Sequence, residues 1–229
     1  MITLFGPSQA PYTEKVRRAL VYKGLEFTFR EPESAEDYKR WNPKTGQLPL
    51  LDHHGERVSD STEILYRLDA LYPEPPLLAS DPKIAGQQRQ LENWADESFS
   101  WHYMKYRRMA GEGPVLPTTN SVPTLAEEAP QRGLFRSVIR LIAWVRAGGT
   151  WERPLTALVR ELGDRMDDLV NFLGARPFFY ADRLSVADLA VYGMLVTMQR
   201  DAIPGSAMLL AQRPTLLAFL DRVERATGG

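Results

Sequence analysis

Two short segments carry residue types at spacings that chemistry could use. In Leu48-Pro49 a proline interrupts an apolar, strand-like run, although proline has no N–H to give to a β ladder. A cis X-Pro bond there would turn the backbone of Leu48 outward and offer its N–H and C=O to an extended peptide ligand. An edge-strand proline without a role fits the same residues. In Asp60-Ser61 a carboxylate and a hydroxyl open a helix directly after a strand. The N–H groups and dipole of such a helix start attract a carboxylate, while Asp60 could meet an ammonium, so the pair suits a ligand end bearing both charges, such as a free amino-acid head. Asp60 acting only as a helix cap is the competing reading. Eleven positions separate Pro49 from Asp60, enough for a hairpin to bring them side by side.

The composition limits what else the chain can do. Its 229 residues include no cysteine, which excludes a disulfide framework, a cysteine-ligated zinc and a cysteine nucleophile. Any thiol chemistry must use a thiol from the substrate. With 44% hydrophobic residues the chain can build a real core. Its formal charge of −1, with 10 basic and 12 acidic residues up to position 78 and 18 and 17 after it, contains no basic block. Neither nucleic acid nor an anionic membrane is the expected partner. The first residues, Met1 to Phe5, lack the basic start and long apolar run of a signal peptide, and no 18-residue window is free of charge, so a cytoplasmic location is expected. His53 and His54 are neighbours in a turn, His102 stands apart, and no metal site is read from them.

The elements that must position the two segments follow from periodicity. Ile2 to Phe5 reads as a strand, Val16, Ala19, Leu20 and Lys23 as one helix face stopped by Gly24, and Glu26 to Arg30 as a second strand. Ser34 with Asp37 resembles a capping box for a short helix ending near Trp41, because Pro43 restricts Asn42. Leu48 to Asp52 and Glu56 to Ser59 form a hairpin, and Asp60 then caps a helix with the stripe Ile64, Leu65, Leu68 and Leu71. The order is βαβαββα. Tyr72-Pro73-Glu74-Pro75-Pro76 is a stiff joint, and beyond it only helices are signalled, which predicts one domain over 1–78 and a second, all-helical one over 83–229. The helical elements run from Lys83 to Met109, from Pro130 to Gly148, from Leu155 to Leu173, from Ser185 with Asp188 as a capping box, and from Pro214. Residues 110–127 hold three prolines and no periodicity, the pattern of a functional or mobile loop.

Taken together these features resemble the glutathione S-transferase superfamily over essentially the whole chain. Pro11-Tyr12-Thr13-Glu14-Lys15-Val16-Arg17 is similar to its first-helix start, Asn42 to Leu51 to the segment ending in its cis-proline, Asp60-Ser61-Thr62-Glu63-Ile64 to its acid-serine signature, and Ser185-Val186-Ala187-Asp188 to its capping box in the second domain. The resemblance implies a thioredoxin-like domain followed by an all-helical one, glutathione as cosubstrate, no metal and a homodimer packed through the helix after Pro82. It further implies that Leu48, with Pro49, holds the cysteinyl part of glutathione, that Asp60 and Ser61 hold the γ-glutamyl end, and that Gln47 lies near. Lys39 or Lys44 would meet the glycyl carboxylate.

The thiol of glutathione must be ionised before it can attack. A free thiol with a pKa of about 8.5 is only about 3% thiolate at pH 7, and lowering that pKa by about 2 units needs roughly 2.7 kcal/mol. One well-placed hydroxyl comes close to supplying it. In the serine- and cysteine-type classes the activating residue precedes the Pro-aromatic pair, and here that position is Ala10. In the tyrosine-type classes it ends the first strand, here Phe5. Neither can donate to sulfur, which leaves Ser8, Tyr12 and Thr13, with Ser8 preferred and Tyr12 second. An apolar electrophile site is expected between the domains, lined by Phe5, Pro7 and Tyr12 from the first and by Trp101, Tyr103, Met104 and Tyr106 from the long helix, with 110–127 as a lid. The expected activity is a glutathione transferase; a glutathione-binding or protein-interaction module on the same fold is the alternative.

Overall fold

A computed structural model describes residues 1–109 and 154–228. The helix expected after Pro130 and the lid expected over 110–127 lie outside the described residues. The first part of the chain has the anticipated order: β1 (Ile2–Phe5), α1 (Pro11–Tyr22), β2 (Thr28–Arg30), α2 (Ala35–Trp41), β3 (Leu50–His53), β4 (Glu56–Ser59) and α3 (Ser61–Leu71). They build a four-stranded sheet in the order β2-β1-β3-β4, with β1 and β2 parallel and the other pairs antiparallel. The β3–β4 turn is His54-Gly55, both with positive φ (56° and 93°), as a two-residue hairpin that follows the strand twist requires. Both strands at the edges of expectation are shorter than the sequence suggests. β2 starts at Thr28, and β3 starts at Leu50 because Pro49 has no N–H for the ladder and Leu48 lies before it.

The second part is helical throughout: α4 (Pro82–Met109), α5 (Pro154–Leu173), α6 (Val186–Gln199), α7 (Ser206–Ala211) and α8 (Pro214–Ala226). In α5, Leu158, Leu162, Met166, Leu169 and Leu173 recur at helical spacing and are all buried. The central helix α6 is buried on every side from Val186 to Met198, as a helix apolar all round must be. Its start is fixed by Asp188, which accepts from the Ser185 N–H at 2.8 Å, the Ser185 hydroxyl at 2.6 Å and the Phe179 N–H at 2.7 Å. Burial pushes the Asp188 carboxyl up to about 7 against the pull of these donors. The six-residue helix α7 was not anticipated, being too short to show a period.

One apolar core runs through both parts, from Ile2, Leu4 and Val16 to Leu189, Leu216 and Val223. Buried Lys23 ties the proline-rich joint to α1, donating to the Asp69 carboxylate (2.9 Å) and to the carbonyls of Tyr72 (2.6 Å) and Pro75 (2.9 Å). The Val186 N–H then bonds the Leu77 carbonyl at 2.9 Å, which links the joint to α6. α1 and α6 touch through backbone: a Cβ on Gly193 would stand 2.4 Å from the Pro11 carbonyl oxygen, so only glycine fits this crossing.

The long helix α4 departs from the sequence reading. The residues expected to line an apolar site, Trp101, Tyr103, Met104 and Tyr106, lie off the buried face, which is Ala85, Gln88, Leu91, Glu92, Ala95, Phe99 and His102. Trp101 is 48% exposed, with the Lys105 ammonium 4.2 Å above its ring. Hydrophobicity alone does not find all of this face, because three of its residues are polar and find partners inside.

Candidate functional site

Strand register gathers the chemistry-bearing segments at one end of the sheet. Phe5, the last residue of β1, is paired with Leu50, the first of β3, and Leu50 is paired with Ser59, the last of β4. The loop Gly6 to Ala10, the dipeptide Leu48-Pro49 and the start of α3 at Asp60 therefore emerge together. The Leu48-Pro49 bond is cis, and the ladder begins only at Leu50, so the backbone of Leu48 stays outside it, although Leu48 is fully buried rather than turned out to solvent. The chain leading in is held by Asn42, whose amide N–H donates to Thr45 Oγ1 at 2.8 Å and to the Gln47 carbonyl at 2.9 Å. Gln47 is half-buried beside them. The Lys39 side chain lies across Gly46 and donates to the Thr45 carbonyl at 3.3 Å.

Among the described residues Asp60 is engaged through one carboxylate oxygen, which caps α3. Its Oδ1 accepts from the N–H groups of Thr62 (2.9 Å) and Glu63 (3.2 Å), which leaves Oδ2 for another donor. Its φ of 82° is a left-handed conformation that costs a non-glycine residue about 1–3 kcal/mol and is held only where the surroundings impose it. Ser61 follows, buried, at the first helical position.

Beneath this helix start lies a charged cluster between α1 and α4. Lys15 on α1 is 1% exposed, and its Nζ stands 2.7 Å from Glu92 Oε1 and 2.8 Å from Asp96 Oδ2, both on α4. The two carboxylates hold the Lys15 ammonium well above the ordinary lysine range despite its burial. Asp96 is affected oppositely: burial pushes its carboxyl up to about 6 against the Lys15 charge, with the charges of Glu92 and Asp60 adding to the rise.

The loop before α1 holds the candidate activating hydroxyls. Ser8 donates through both its hydroxyl (2.6 Å) and its N–H (2.9 Å) to Glu31 Oε1, and Arg200 at the end of α6 donates to its carbonyl at 3.3 Å. These two donors hold the Glu31 carboxyl below its usual range. Tyr12 is buried, and its hydroxyl donates to the Asp96 carbonyl at 3.1 Å and pairs with Ser100 Oγ. Thr13 is 1% exposed and turns its hydroxyl against Gly6, where a Cβ would stand 2.4 Å away; it has no hydrogen-bond partner among the described residues. α1 begins with Pro11 after Ala10, and no side chain caps it.

Around this end of the sheet, Phe5 leans on Trp41 with ring centroids 4.9 Å apart, and Pro7 is half-exposed. On α4, Tyr103 stacks on Phe99 at 5.7 Å, and Met104 and Tyr106 are half-buried, whereas Trp101 faces solvent. Among the described residues no group of three histidine, aspartate or glutamate side chains could hold a metal ion, and no helix is long and apolar enough to cross a membrane. The residues that sequence reasoning missed are Lys15, Thr62, Glu92, Asp96 and Glu31. The available hint was a repeat of polar residues, Gln88, Glu92 and Asp96, at every fourth position of a helix, which an apolar stripe does not explain.

Comparison with known proteins bears on the whole chain. Residues 4–76 match the family model described as glutathione S-transferase, N-terminal domain, and residues 158–227 the one described as glutathione S-transferase, C-terminal domain. The chain is 27% identical over 232 residues to Protein LigF of Sphingobium sp. (strain NBRC 103272 / SYK-6), covering 96% of this chain and 87% of that protein. The crystal structure of that relative, named beta-etherase LigF, superposes with a TM-score of 0.66 at 22% identity, over 97% of this chain and 94% of that one. The chain is 23% identical over 237 residues to the isoprene-epoxide–glutathione S-transferase of Rhodococcus sp. (strain AD45), covering 98% of each. A glutathione S-transferase of Methylobacterium radiotolerans JCM 2831, solved in complex with glutathione sulfonate, shares the fold with a TM-score of 0.64 at 24% identity, over 97% of this chain and 90% of that one.

Proposed function

The chain belongs to the glutathione S-transferase superfamily, its two family models together spanning more than half of it, and on that footing we propose that it binds glutathione and directs the thiolate at an electrophilic carbon of an apolar compound. The observation that carries this reading is the convergence at one end of the sheet of Leu48 outside the ladder, the start of α3 and the uncapped start of α1. An extended tripeptide needs these three contacts. The α-carboxylate of the γ-glutamyl end sits on Ser61 at the positive end of α3, and its ammonium lies between Asp60 Oδ2 and Asp96. The backbone of Leu48 pairs with the cysteinyl residue, Gln47 flanks it, and Lys39 takes the glycyl carboxylate.

This pose brings the sulfur to the start of α1, whose dipole favours the thiolate. Ser8 supplies the hydroxyl. Its proton points at Glu31, an exposed carboxylate, so turning it to the sulfur exchanges one charged acceptor at the surface for another and costs little, about 1 kcal/mol at most. Tyr12, with its hydroxyl bonded to α4, positions the helix rather than the proton. In the reaction the sulfur's electron pair forms the C–S bond while the bond from that carbon to its leaving group breaks. The relatives' names put two such carbons forward, one in an epoxide and one in an ether, each with oxygen leaving and taking up a proton. Phe5, Pro7, Tyr103, Met104 and Tyr106 furnish the apolar wall; Trp101 stands on the solvent side of α4.

A second reading keeps the binding and drops the chemistry, and what favours it is that neither Ala10 nor Phe5 can donate to sulfur. Calorimetric titration with glutathione, followed by a panel that includes epoxides and aryl ethers, separates the two. Binding with turnover supports the transferase, binding without turnover over the whole panel supports the module, and absence of binding refutes both. Within the first reading, Ser8→Ala lowers the rate at least about tenfold, one hydrogen bond's worth, while glutathione still binds; unchanged turnover removes Ser8 from the mechanism. A homodimer through α4 belongs to the same proposal, and a monomer by light scattering at micromolar concentration would refute that part.

A further inference from the structure

The cluster around Lys15 contains more charge than a fold needs. Each ion brought inside costs several kcal/mol before its partners act, and well-packed apolar side chains would fill the same space more cheaply. Its wiring shows where the charge is directed. Besides its two carboxylates, the Lys15 ammonium donates to Thr62 Oγ1 at 3.2 Å, and the Thr62 hydroxyl donates onward to Glu92 Oε1 at 3.0 Å. Tyr66 donates to Glu92 Oε2 at 2.9 Å. Glu92 thus has both oxygens occupied and is fully buried, whereas Asp96 meets Lys15 through Oδ2 and is 12% exposed. One ammonium against two carboxylates leaves a formal excess of one negative charge, and Asp96 is the member that can show it to a ligand.

We infer that Lys15 is a positioning residue for the γ-glutamyl end of the ligand, acting through Thr62, which fixes the first turn of α3 and therefore Ser61, and through Asp96, whose carboxylate it holds. The inference rests on the reading that Asp60 and Ser61 receive that end. Lys15 itself lies too deep to touch a ligand. Thr62 is the second residue of α3, next to Ser61, and its hydroxyl links the first turn to a lysine of α1 and a glutamate of α4 at once. Without that link the turn keeps the Asp60 cap and the Ile64 N–H bond to the Asp60 carbonyl, neither of which ties it to α1 or α4.

The test compares Thr62→Val, which keeps the shape and removes the hydroxyl, with Thr62→Ser, which keeps the hydroxyl. Glutathione affinity is measured by calorimetry, and KM for glutathione and kcat with a responsive electrophile. Thr62→Val is expected to weaken glutathione about tenfold, the loss falling on KM rather than kcat, and Thr62→Ser to restore affinity to within about twofold. The paired variant Lys15→Met with Glu92→Gln, which removes one charge of each sign, is expected to reproduce the Thr62→Val loss; should it fail to fold, the Thr62 pair decides. Equal affinity of Thr62→Val and the unmodified chain, or equal weakening by Val and Ser, overturns the inference. Ser61→Ala tells which reading has failed: if it weakens glutathione while Thr62→Val does not, only the role of Lys15 falls, and if neither weakens it, the placement of the γ-glutamyl end falls too.

Discussion

Adding one methyl group at Gly193 should disturb the protein at the point where its second domain supports the start of α1. The Cβ of Gly193→Ala would stand 2.4 Å from the Pro11 carbonyl oxygen, whereas ordinary contact begins at 3.4 Å, so the two helices must separate by about 1 Å. The obstacle is backbone and cannot rotate away, which places the cost at the upper end of the range for overpacking, about 3 kcal/mol. Alanine recovers about 1 kcal/mol of helix propensity over glycine. The net loss of about 2 kcal/mol corresponds to a melting temperature lower by roughly 4–8 °C for a chain of this size. Because Pro11 opens the helix proposed to face the sulfur, a displacement of about 1 Å is also expected to reduce kcat/KM by up to about 100-fold. The assay is thermal unfolding alongside glutathione conjugation, with Gly86→Ala as the control. Gly86 is on α4 with nothing within 4 Å of its Cβ, so the same change there should raise stability by about 1 kcal/mol. A melting temperature of Gly193→Ala equal to or above that of the parent would refute the reasoning, since propensity alone would then have decided the outcome.

Two further outcomes follow from buried carboxylates. Asp96, pushed up to about 6, is charged above that pH and neutral below it, so glutathione affinity measured by calorimetry should fall as the pH is lowered from 7 through 6, and Asp96→Asn should flatten that dependence. An identical pH profile in the variant would remove Asp96 from the ammonium site. Asp188→Ala leaves the N–H groups of Phe179 and Ser185 buried without an acceptor, and should cost about 3 kcal/mol or more in urea unfolding. A loss below about 1 kcal/mol, that of an exposed cap, would show that these donors find water instead.

Much of this protein was legible in its sequence because the deciding signals are local. The 3.6-residue stripe of α5, the Ser185–Asp188 box, the glycine after α1 and the hairpin turn are each written in adjacent residues, since a cap or a turn is satisfied within its own few residues. Leu48-Pro49 and Asp60-Ser61 were recognisable for the same reason, and β3–β4 pairing then brings them to one end of the sheet. The limits of β3 were less legible, because a proline in an apolar run does not say on which side of it the ladder starts.

What only the tertiary structure decided is which distant groups meet. Lys15 finds Asp96 81 positions away, and Tyr12 finds the same helix across 84, partnerships that no spacing encodes because they depend on how α1 and α4 are rotated about their axes. That rotation also sends Trp101 to solvent and Glu92 inside, against hydrophobicity, because an interior lysine makes the glutamate the better neighbour there. Sequence alone determined the order of elements and the two segments, Leu48-Pro49 and Asp60-Ser61, that meet at one end of the sheet; packing decided the charge beneath them, the acceptor of the Ser8 proton, and the need for glycine at 193.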